Sequence, residues 1–174
     1  RVWRLLPGTL GIEYTLRVPV GFLGGFKHVA FDKEGNLFFL LPFFPPKKLP
    51  QIILDLQRPA SFDKLQEEVS QSHEMKVALR MLPILKAFAA RHKMILESVD
   101  LSKRNHPNIF RREIIFAFSP QLSKEKELLY VRCHAQSLSM NRLRKVFAYL
   151  CDSGFHPGVV DMRYPSIVLC TKCE

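Results

Sequence analysis

The sequence predicts an α+β fold, with a mostly antiparallel sheet and helices packed on one face of it. Apolar residues alternate at period two in segments near both ends of the chain, which is typical of half-buried strands. Between Met75 and Ile95 they repeat at helical spacing instead. The predicted order is strands, helices, strands, one helix and strands, as in α+β proteins. We expect one domain over residues 1–174, with loop 102–112 as the one place to divide it into lobes 1–101 and 113–174.

The first third of the chain is predicted to consist of strands and turns. Apolar residues alternate from Ile12 to Val18, which predicts a half-buried strand that stops at Pro19. The glycine-rich segment Gly21–Gly25 predicts a turn, because it lacks the lysine and the following helix of a phosphate-binding loop. The segments Phe26–Asp32 and Leu37–Leu41 predict a hairpin whose turn contains glycine and asparagine.

The middle of the chain is predicted to be helical. After a short apolar run at Ile52–Leu56, Ser61 has the position of an N-cap for a first helix. Pro83 interrupts the apolar stripe that follows, so it either kinks one helix or opens a second one at its first turn. The segment Met94–Leu101 predicts a strand at the end of this region.

The last third predicts strands that flank one helix. Strands are predicted at Glu113–Ser119 and Leu129–His134, where apolar and polar residues alternate. Ser139 has the position of an N-cap for a helix with one apolar face and one cationic face. Two short apolar runs, at 159–162 and 166–170, predict a pair of strands.

The charge of the chain favours anionic partners. Lysine and arginine number 26 against 16 acidic residues, so the net charge is 26 − 16 = +10, with an isoelectric point near 9.7. Nucleic acid, acidic protein surfaces and lipid headgroups all fit such a balance. A basic surface that only keeps the protein soluble fits it as well. The apolar fraction of 47% argues against disorder over most of the chain.

Cysteine usage and hydropathy bear on the compartment. All four cysteines fall in the last 42 residues, which favours a reducing intracellular compartment, the nucleus or an organelle matrix, over a secreted disulfide scaffold. No apolar run has the length of a membrane span. The chain starts at Arg1, which indicates either an excised domain or a removed N-terminal segment.

Cations on predicted helix faces and loops are the strongest functional signal. They come in three groups, one on the long helix, one around loop 102–112 and one on the last helix. These candidate nucleic-acid-binding residues are Arg80, Lys86, Arg91, Lys93, Lys103, Arg104, Arg111, Arg112, Arg142, Arg144 and Lys145. If the groups share one side of the molecule, they form a stripe for phosphates, and the predicted exposed Tyr130 and Tyr164 could stack on unpaired bases. If the groups point apart, they are only solvated charge.

The cysteines at the end of the chain suggest one metal site. Cys170 and Cys173 have the spacing that can hold one edge of a zinc ion. Cys151 and His156 could complete the set, although their spacing is irregular and Cys151 lies on the apolar face of its helix. Unliganded cysteines are the competing interpretation, and no cofactor is otherwise expected.

No enzyme signature is visible, and no catalytic residue is predicted. Cys133 and His134 are neighbours on a strand, so their side chains point to opposite faces and do not form a nucleophile–base pair. A pair assembled from distant residues stays open.

Two parts of the chain resemble known protein families. From Leu37 to Leu96 the order of strand, proline-rich loop and long helices resembles the RWD domains of kinetochore scaffolds, which implies a protein-interaction scaffold. The segments Phe116-x-Phe118-x-Pro120, Val131-x-Cys133 and Asp152-Ser153-Gly154-Phe155 resemble the strand–helix–strand unit of a tRNA wybutosine-modification family. The first helix of the one fold and the N-terminal motif of the other are missing, so neither resemblance assigns a functional residue.

These observations lead to one functional hypothesis with two alternatives. The sequence favours a non-catalytic binding module within a larger assembly, which contacts nucleic acid, RNA rather than DNA, through cationic helix faces and loops. The first alternative is an RWD-like scaffold subunit that binds only proteins. The second is a component of an RNA-modifying enzyme.

Overall fold

A computed structural model describes residues 2–5, 8–40, 48–57, 59–121, 128–136, 139–153 and 157–171. Within these ranges the chain forms α-helices and a large, mostly antiparallel sheet, so the predicted α+β class is confirmed. None of the helices in these ranges is long and apolar enough to cross a membrane.

A small hairpin precedes the main sheet. Strand β1 (Val2–Leu5) pairs antiparallel with β2 (Thr9–Ile12). The main sheet is built from the following strands: β3 (Gly21–Leu23), β4 (Val29–Phe31), β5 (Leu37–Phe39), β6 (Gln51–Ile53), β7 (Met94–Asp100), β8 (Glu113–Pro120), β9 (Leu129–His134), β10 (Val159–Asp161) and β11 (Leu169–Thr171). Their order across the sheet is β11-β10-β9-β8-β7-β6-β3-β4-β5.

The helices begin where serine caps are found in the sequence. Helix α1 (Phe62–Gln71) begins after Ser61, whose hydroxyl accepts a hydrogen bond from the Lys64 amide. Helix α2 (His73–Arg91) begins after Ser72 and continues through the exposed Pro83, so the proline lies inside one helix and does not open a second. Helix α3 (Met140–Ser153) follows Ser139, which accepts from the Arg142 amide.

The helices cover one face of the sheet because of the way two parallel strand pairs are connected. Strand β6 leads through α1 and α2 to its parallel neighbour β7, and β9 leads through α3 to its parallel neighbour β10. Both connections advance in the same direction across the sheet, from strands that run in the same direction. Right-handed crossovers therefore place all three helices on one face.

Phenylalanine side chains join the two crossovers into one core. The ring of Phe88 on α2 lies 4.7 Å from Phe147 on α3, and both contact Phe118 of β8. Phe116 and Phe118 are fully buried. Leu65 and the neighbouring apolar residues of α1 belong to the same core.

The predicted strand from Ile12 to Val18 is wrong beyond its first residue. In the hairpin, Val2 is opposite Ile12, and among the described residues no strand pairs with 13–18. A strand needs a neighbour for its backbone hydrogen bonds, and an alternating pattern does not supply one. The side chains of Tyr14, Leu16 and Val18 are consequently exposed.

Only the second half of the segment Gly21–Gly25 forms the predicted turn. Gly21 begins strand β3, where a Cβ would lie 2.5 Å from the Phe31 ring and 2.9 Å from the Pro50 carbonyl oxygen. The close approach of neighbouring strands requires glycine there. The turn itself is at Gly24 and Gly25, and Gly25 has a φ of 81°.

Replacing Phe147 by alanine should lower the free energy of unfolding by about 3–5 kcal/mol, because it removes a ring that touches both Phe88 and Phe118. Urea unfolding followed by circular dichroism measures the change. Tyr149→Ala on the exposed side of the same helix is the control, expected to stay within about 0.5 kcal/mol. Equal effects of the two substitutions would contradict this assignment of the core.

Candidate functional site

The face of the sheet opposite the helices carries charged side chains at one edge. The side chains of Ile114, Phe116 and Phe118 point into the core, so Glu113 and Ile115 point to the other face. The carboxyl ends of the parallel strands β7, β9 and β10 meet the start of β8 at this edge. Loop 101–112 lies there as well. We call this region the charged edge.

The buried carboxylate of Glu113 is the centre of the charged edge. Its side chain is only 4% exposed, yet it accepts hydrogen bonds from Arg132 (Nη2 to Oε2, 2.7 Å) and Lys103 (Nζ to Oε1, 3.3 Å). Arg163 approaches the same carboxylate at 3.5 Å. In the β8–β9 pair, His134 is directly opposite Glu113, and Arg132 is two residues away from His134 on the same face. A long side chain can reach a residue in this diagonal position on the neighbouring strand.

Asp161 holds the second pair of charges at this edge. Its carboxylate accepts from the guanidinium of Arg163, with Nη2 at 2.6 Å from Oδ2 and Nε at 3.0 Å from Oδ1. Arg132 stands directly opposite Asp161 in the strand pair, at 4.0 Å. Three cations therefore surround two carboxylates, which leaves the cluster with a net charge of 3 − 2 = +1.

The cations keep both carboxylates ionised. Burial alone would raise the pKa of Glu113, but the hydrogen bonds and charges of Arg132 and Lys103 outweigh it and hold that pKa below the ordinary value of 4.5. Burial opposes ionisation of Asp161 as well, and Arg163 lowers the pKa of that carboxyl below its ordinary value. The two arginines are thus fixed in place by their counter-ions.

Hydrogen bonds within loop 101–112 hold it against the strands. The Arg112 guanidinium donates to the His106 carbonyl oxygen (2.8 Å), and Asn108 caps a short 3₁₀ turn, Ile109–Arg111. The His134 ring nitrogen Nε2 lies 3.2 Å from the Ile109 carbonyl oxygen, which ties the turn to the end of β9. The turn presents its side chains outward.

Exposed aromatic residues accompany these cations. Phe110, in the 3₁₀ turn, is 87% exposed, and the next residue, Arg111, is exposed as well. Tyr164 follows Arg163 and is 54% exposed, and Tyr130 is exposed on strand β9. Exposed rings beside cations are the surface features that stack unpaired bases and bind their phosphates.

The four cations predicted around loop 102–112 differ in their contacts. Lys103 and Arg111 are exposed, and Lys103 pairs with Glu113. Arg104 lies 3.7 Å from Glu74, and Arg112 is bound to the loop backbone. Lys103 and Arg111 are therefore accessible to a ligand, and Arg104 and Arg112 mainly hold the loop.

Other predicted cations are separated from this edge. Lys93 and Lys103 stand beyond opposite ends of β7, whose seven residues span about 23 Å. Arg91 is next to that distant end, and Arg80 is exposed along the outer side of α2. Lys86 donates to the Val20 carbonyl oxygen (2.7 Å), and burial lowers the pKa of its ammonium group.

Of the three predicted cations of α3, one binds the backbone and two are exposed. Arg142, at the start of the helix, donates to the carbonyl oxygens of Met162 (3.2 Å) and Ile167 (2.8 Å). Arg144 and Lys145 are exposed. That the three groups form one continuous stripe stays a prediction.

The sequence interpretation missed Arg132, Arg163 and Phe110. Arg132 was visible only as one polar residue in an alternating strand, because its partners Glu113 and Asp161 lie on other strands. The register of β8, β9 and β10 brings these charges together. The one local signal was the succession of apolar and basic residues at 109–112.

The predicted zinc set falls mostly outside the described residues. His156, Cys173 and the side chain of Cys151 lie there, and Cys170 is exposed with an unpaired thiol. The ranges that the structure describes contain no group of three metal-ligating side chains. Cys133 is buried in the core, where burial raises the pKa of its thiol to about 12 and makes it unreactive.

No known protein-family model matches the chain, and no curated protein matches its sequence. The assignment of a function therefore depends on the charged edge itself.

Replacing Glu113 by glutamine should reduce the free energy of unfolding at neutral pH by about 1–3 kcal/mol, because Arg132 and Lys103 lose a charged acceptor. The pKa of Glu113 is lowered in the folded state, so its contribution is complete above the ordinary pKa of 4.5 and is lost as the pH falls through the folded value. The variant should accordingly lose less stability than the wild type on acidification. Urea unfolding between pH 6 and pH 3 measures both effects.

The matched control is Glu67→Gln on the exposed side of α1. It should leave the acid dependence as it is in the wild type. If Glu113→Gln were equally silent, the ion pairs around that carboxylate would contribute nothing to the fold.

Proposed function

We propose that the protein binds single-stranded nucleic acid, RNA rather than DNA, at the charged edge. The observation that carries the proposal is the juxtaposition of exposed aromatic rings with cations on one side of the sheet edge. The site consists of Phe110, Tyr164 and Tyr130 with Lys103, Arg111, Arg132 and Arg163.

The electrostatics of the cluster support a polyanion as the ligand. Glu113 and Asp161 neutralise two of the three central cations, so the remaining positive charge of Lys103, Arg163 and Arg132 is shared. Arg111 adds an exposed charge on the adjacent turn. Guanidinium groups held by counter-ions keep donors free for phosphate oxygens without losing side-chain entropy on binding.

The exposed rings support an unpaired strand as the ligand. Phe110 is almost fully exposed on a short turn, so its ring is accessible to a ligand. A base can stack on it because every nucleobase has an aromatic face. In a duplex these faces are already occupied, and RNA-binding proteins mostly recognise single-stranded bases.

Arg111→Ala should weaken binding of a fluorescein-labelled oligouridylate and reduce the slope of log affinity against log salt by about 0.7 per lost phosphate contact. Fluorescence anisotropy across a salt series measures both quantities. Arg80→Ala is the matched control: it removes another exposed arginine, on the outer side of α2, and binding should not change. Loss of affinity in Arg80→Ala alone would move the interface to the helix face.

Phe110→Ala should weaken binding of the same oligonucleotide about 5- to 150-fold, because stacking contributes about 1–3 kcal/mol per base. Its salt slope should equal that of the wild type, since no phosphate contact is lost. A change in slope without a change in affinity at low salt would contradict a stacking role for this ring.

A second candidate function, a protein-interaction scaffold, is supported by the segment 10–18, which comprises the end of strand β2 and the residues that follow it. Tyr14 is 76% exposed, and the apolar side chains of Leu10, Ile12, Leu16 and Val18 are exposed with it. The segment is fixed at one point by the ion pair of Arg17 with Asp32 at 3.2 Å. A row of exposed apolar side chains fits an apolar surface on a partner protein.

The double substitution Ile12→Ser and Leu16→Ser should abolish the binding of protein partners that the wild-type chain still binds at high salt, where charge-mediated contacts are screened. Crosslinking in cell extract followed by quantitative mass spectrometry compares the two chains. RNA binding should be equal in both, because the segment lies outside the charged edge. If the retained proteins were the same for both chains, the segment would not be an interface.

A further inference from the structure

A pocket with a volume of about 280 Å³ opens beside the charged edge, at the carboxyl ends of β6 and β7. One part of its wall is apolar, formed by Leu54, Leu56, Leu101 and Pro107. The other part is polar, formed by Asp55, Ser72, Glu74, Ser102, Asn105 and His106. Concave sites of this mixed lining at the carboxyl ends of parallel strands are where α/β sheets usually bind ligands.

Most polar groups of the wall are already paired. Glu74 accepts hydrogen bonds from Ser72 and Asn105 and lies 3.7 Å from Arg104. His106 accepts a hydrogen bond from the Asn108 amide at Nδ1 (3.0 Å), so its Nε2 carries the ring proton. Asp55 differs: it is exposed, and within the described part of the chain no group donates to its carboxylate.

Two cationic residues lie next to this pocket wall, whose charged group without a partner among the described residues is the Asp55 carboxylate. Lys103 and Arg104 lie between the lining residues Ser102 and Asn105 in the sequence. Lys103 is exposed and belongs to the charged edge, where it contacts Glu113. A ligand that enters the pocket from this side therefore passes the exposed Lys103, and the exposed Asp55 belongs to the pocket wall.

We propose that the pocket binds a guanine base of the single-stranded RNA, with Asp55 as the residue that selects it; this inference rests on the proposed function. The phosphate of that nucleotide would lie near Lys103 at the rim. The base would lie against the leucine and proline side chains. The Asp55 carboxylate would accept the two adjacent N–H donors of guanine, N1–H and the 2-amino group.

Chemistry favours guanine over other occupants. A carboxylate is only an acceptor, and guanine alone among the four bases presents two neighbouring donors on its pairing edge. Adenine and cytosine each offer one amino group, next to a ring nitrogen that a carboxylate repels. A lysine or arginine of a partner protein would suit the carboxylate but would be repelled by Lys103 and Arg104 at the rim.

The test compares labelled oligouridylates that carry one guanosine, one inosine or one adenosine at the same position. Inosine keeps N1–H and lacks only the 2-amino group. For the wild-type chain, fluorescence anisotropy should show the guanosine oligonucleotide binding roughly 5- to 150-fold more tightly than the other two. Asp55→Asn should remove this preference while plain oligouridylate binds as before. Asp152→Asn, an exposed carboxylate on α3, is the matched control and should keep the preference.

The outcomes separate the two proposals. If the wild-type chain binds all oligonucleotides equally, or if Asp55→Asn keeps the guanosine preference, the base pocket is wrong and the RNA interface stands. If no oligonucleotide binds at low salt, the proposed function fails and the base pocket fails with it. Displacement of the guanosine oligonucleotide by oligolysine, in wild type but not in Asp55→Asn, would assign the pocket to a basic protein side chain and overturn the inference.

Discussion

The handedness of two crossover connections determines how this molecule is organised. Because β6–β7 and β9–β10 are parallel neighbours and both connections run the same way across the sheet, the helices collect on one face. The core forms there, around Phe118 and the two helix residues that contact it. The opposite face is left to side chains that must satisfy one another, and this gives the sheet a polar surface at one edge.

On that polar surface, a buried carboxylate and the cations around it stabilise one another. A carboxylate as buried as Glu113 is costly to keep ionised unless charged donors surround it, and here three cations approach it. The same contacts hold the cations in fixed positions. A buried acid thus brings together an arginine of β9 and an arginine that follows β10. Since the acids neutralise part of the charge, aromatic residues on loop 101–112 and after β10 contribute as much to the proposed recognition as the cations do.

Pairing between distant segments accounts for the elements that the sequence did not predict correctly. The alternation at 12–18 is as regular as that of any strand in the chain, but within the described residues only Ile12 is paired with another strand. Conversely, Gly21 reads as part of a flexible turn, yet it lies in a strand because Phe31 and Pro50 approach too closely for a side chain. In both cases the deciding contact comes from a residue that local periodicity does not reveal.

The sequence by itself determined the α+β class, the serine caps Ser61 and Ser139 of two helices, the strands at 113–119 and 129–134, and the clustering of cations around loop 102–112. These features depend on residues close together in the chain, whose spacing fixes periodicity, caps and turns. Only the tertiary structure decided that Arg91 and Lys93 lie near the end of β7 opposite Lys103, that Lys86 and Arg142 bind the backbone, and that Arg132 and Arg163 meet around Glu113 and Asp161. These outcomes depend on strand register and on the handedness of connections, which arise from contacts between segments that are far apart in the sequence.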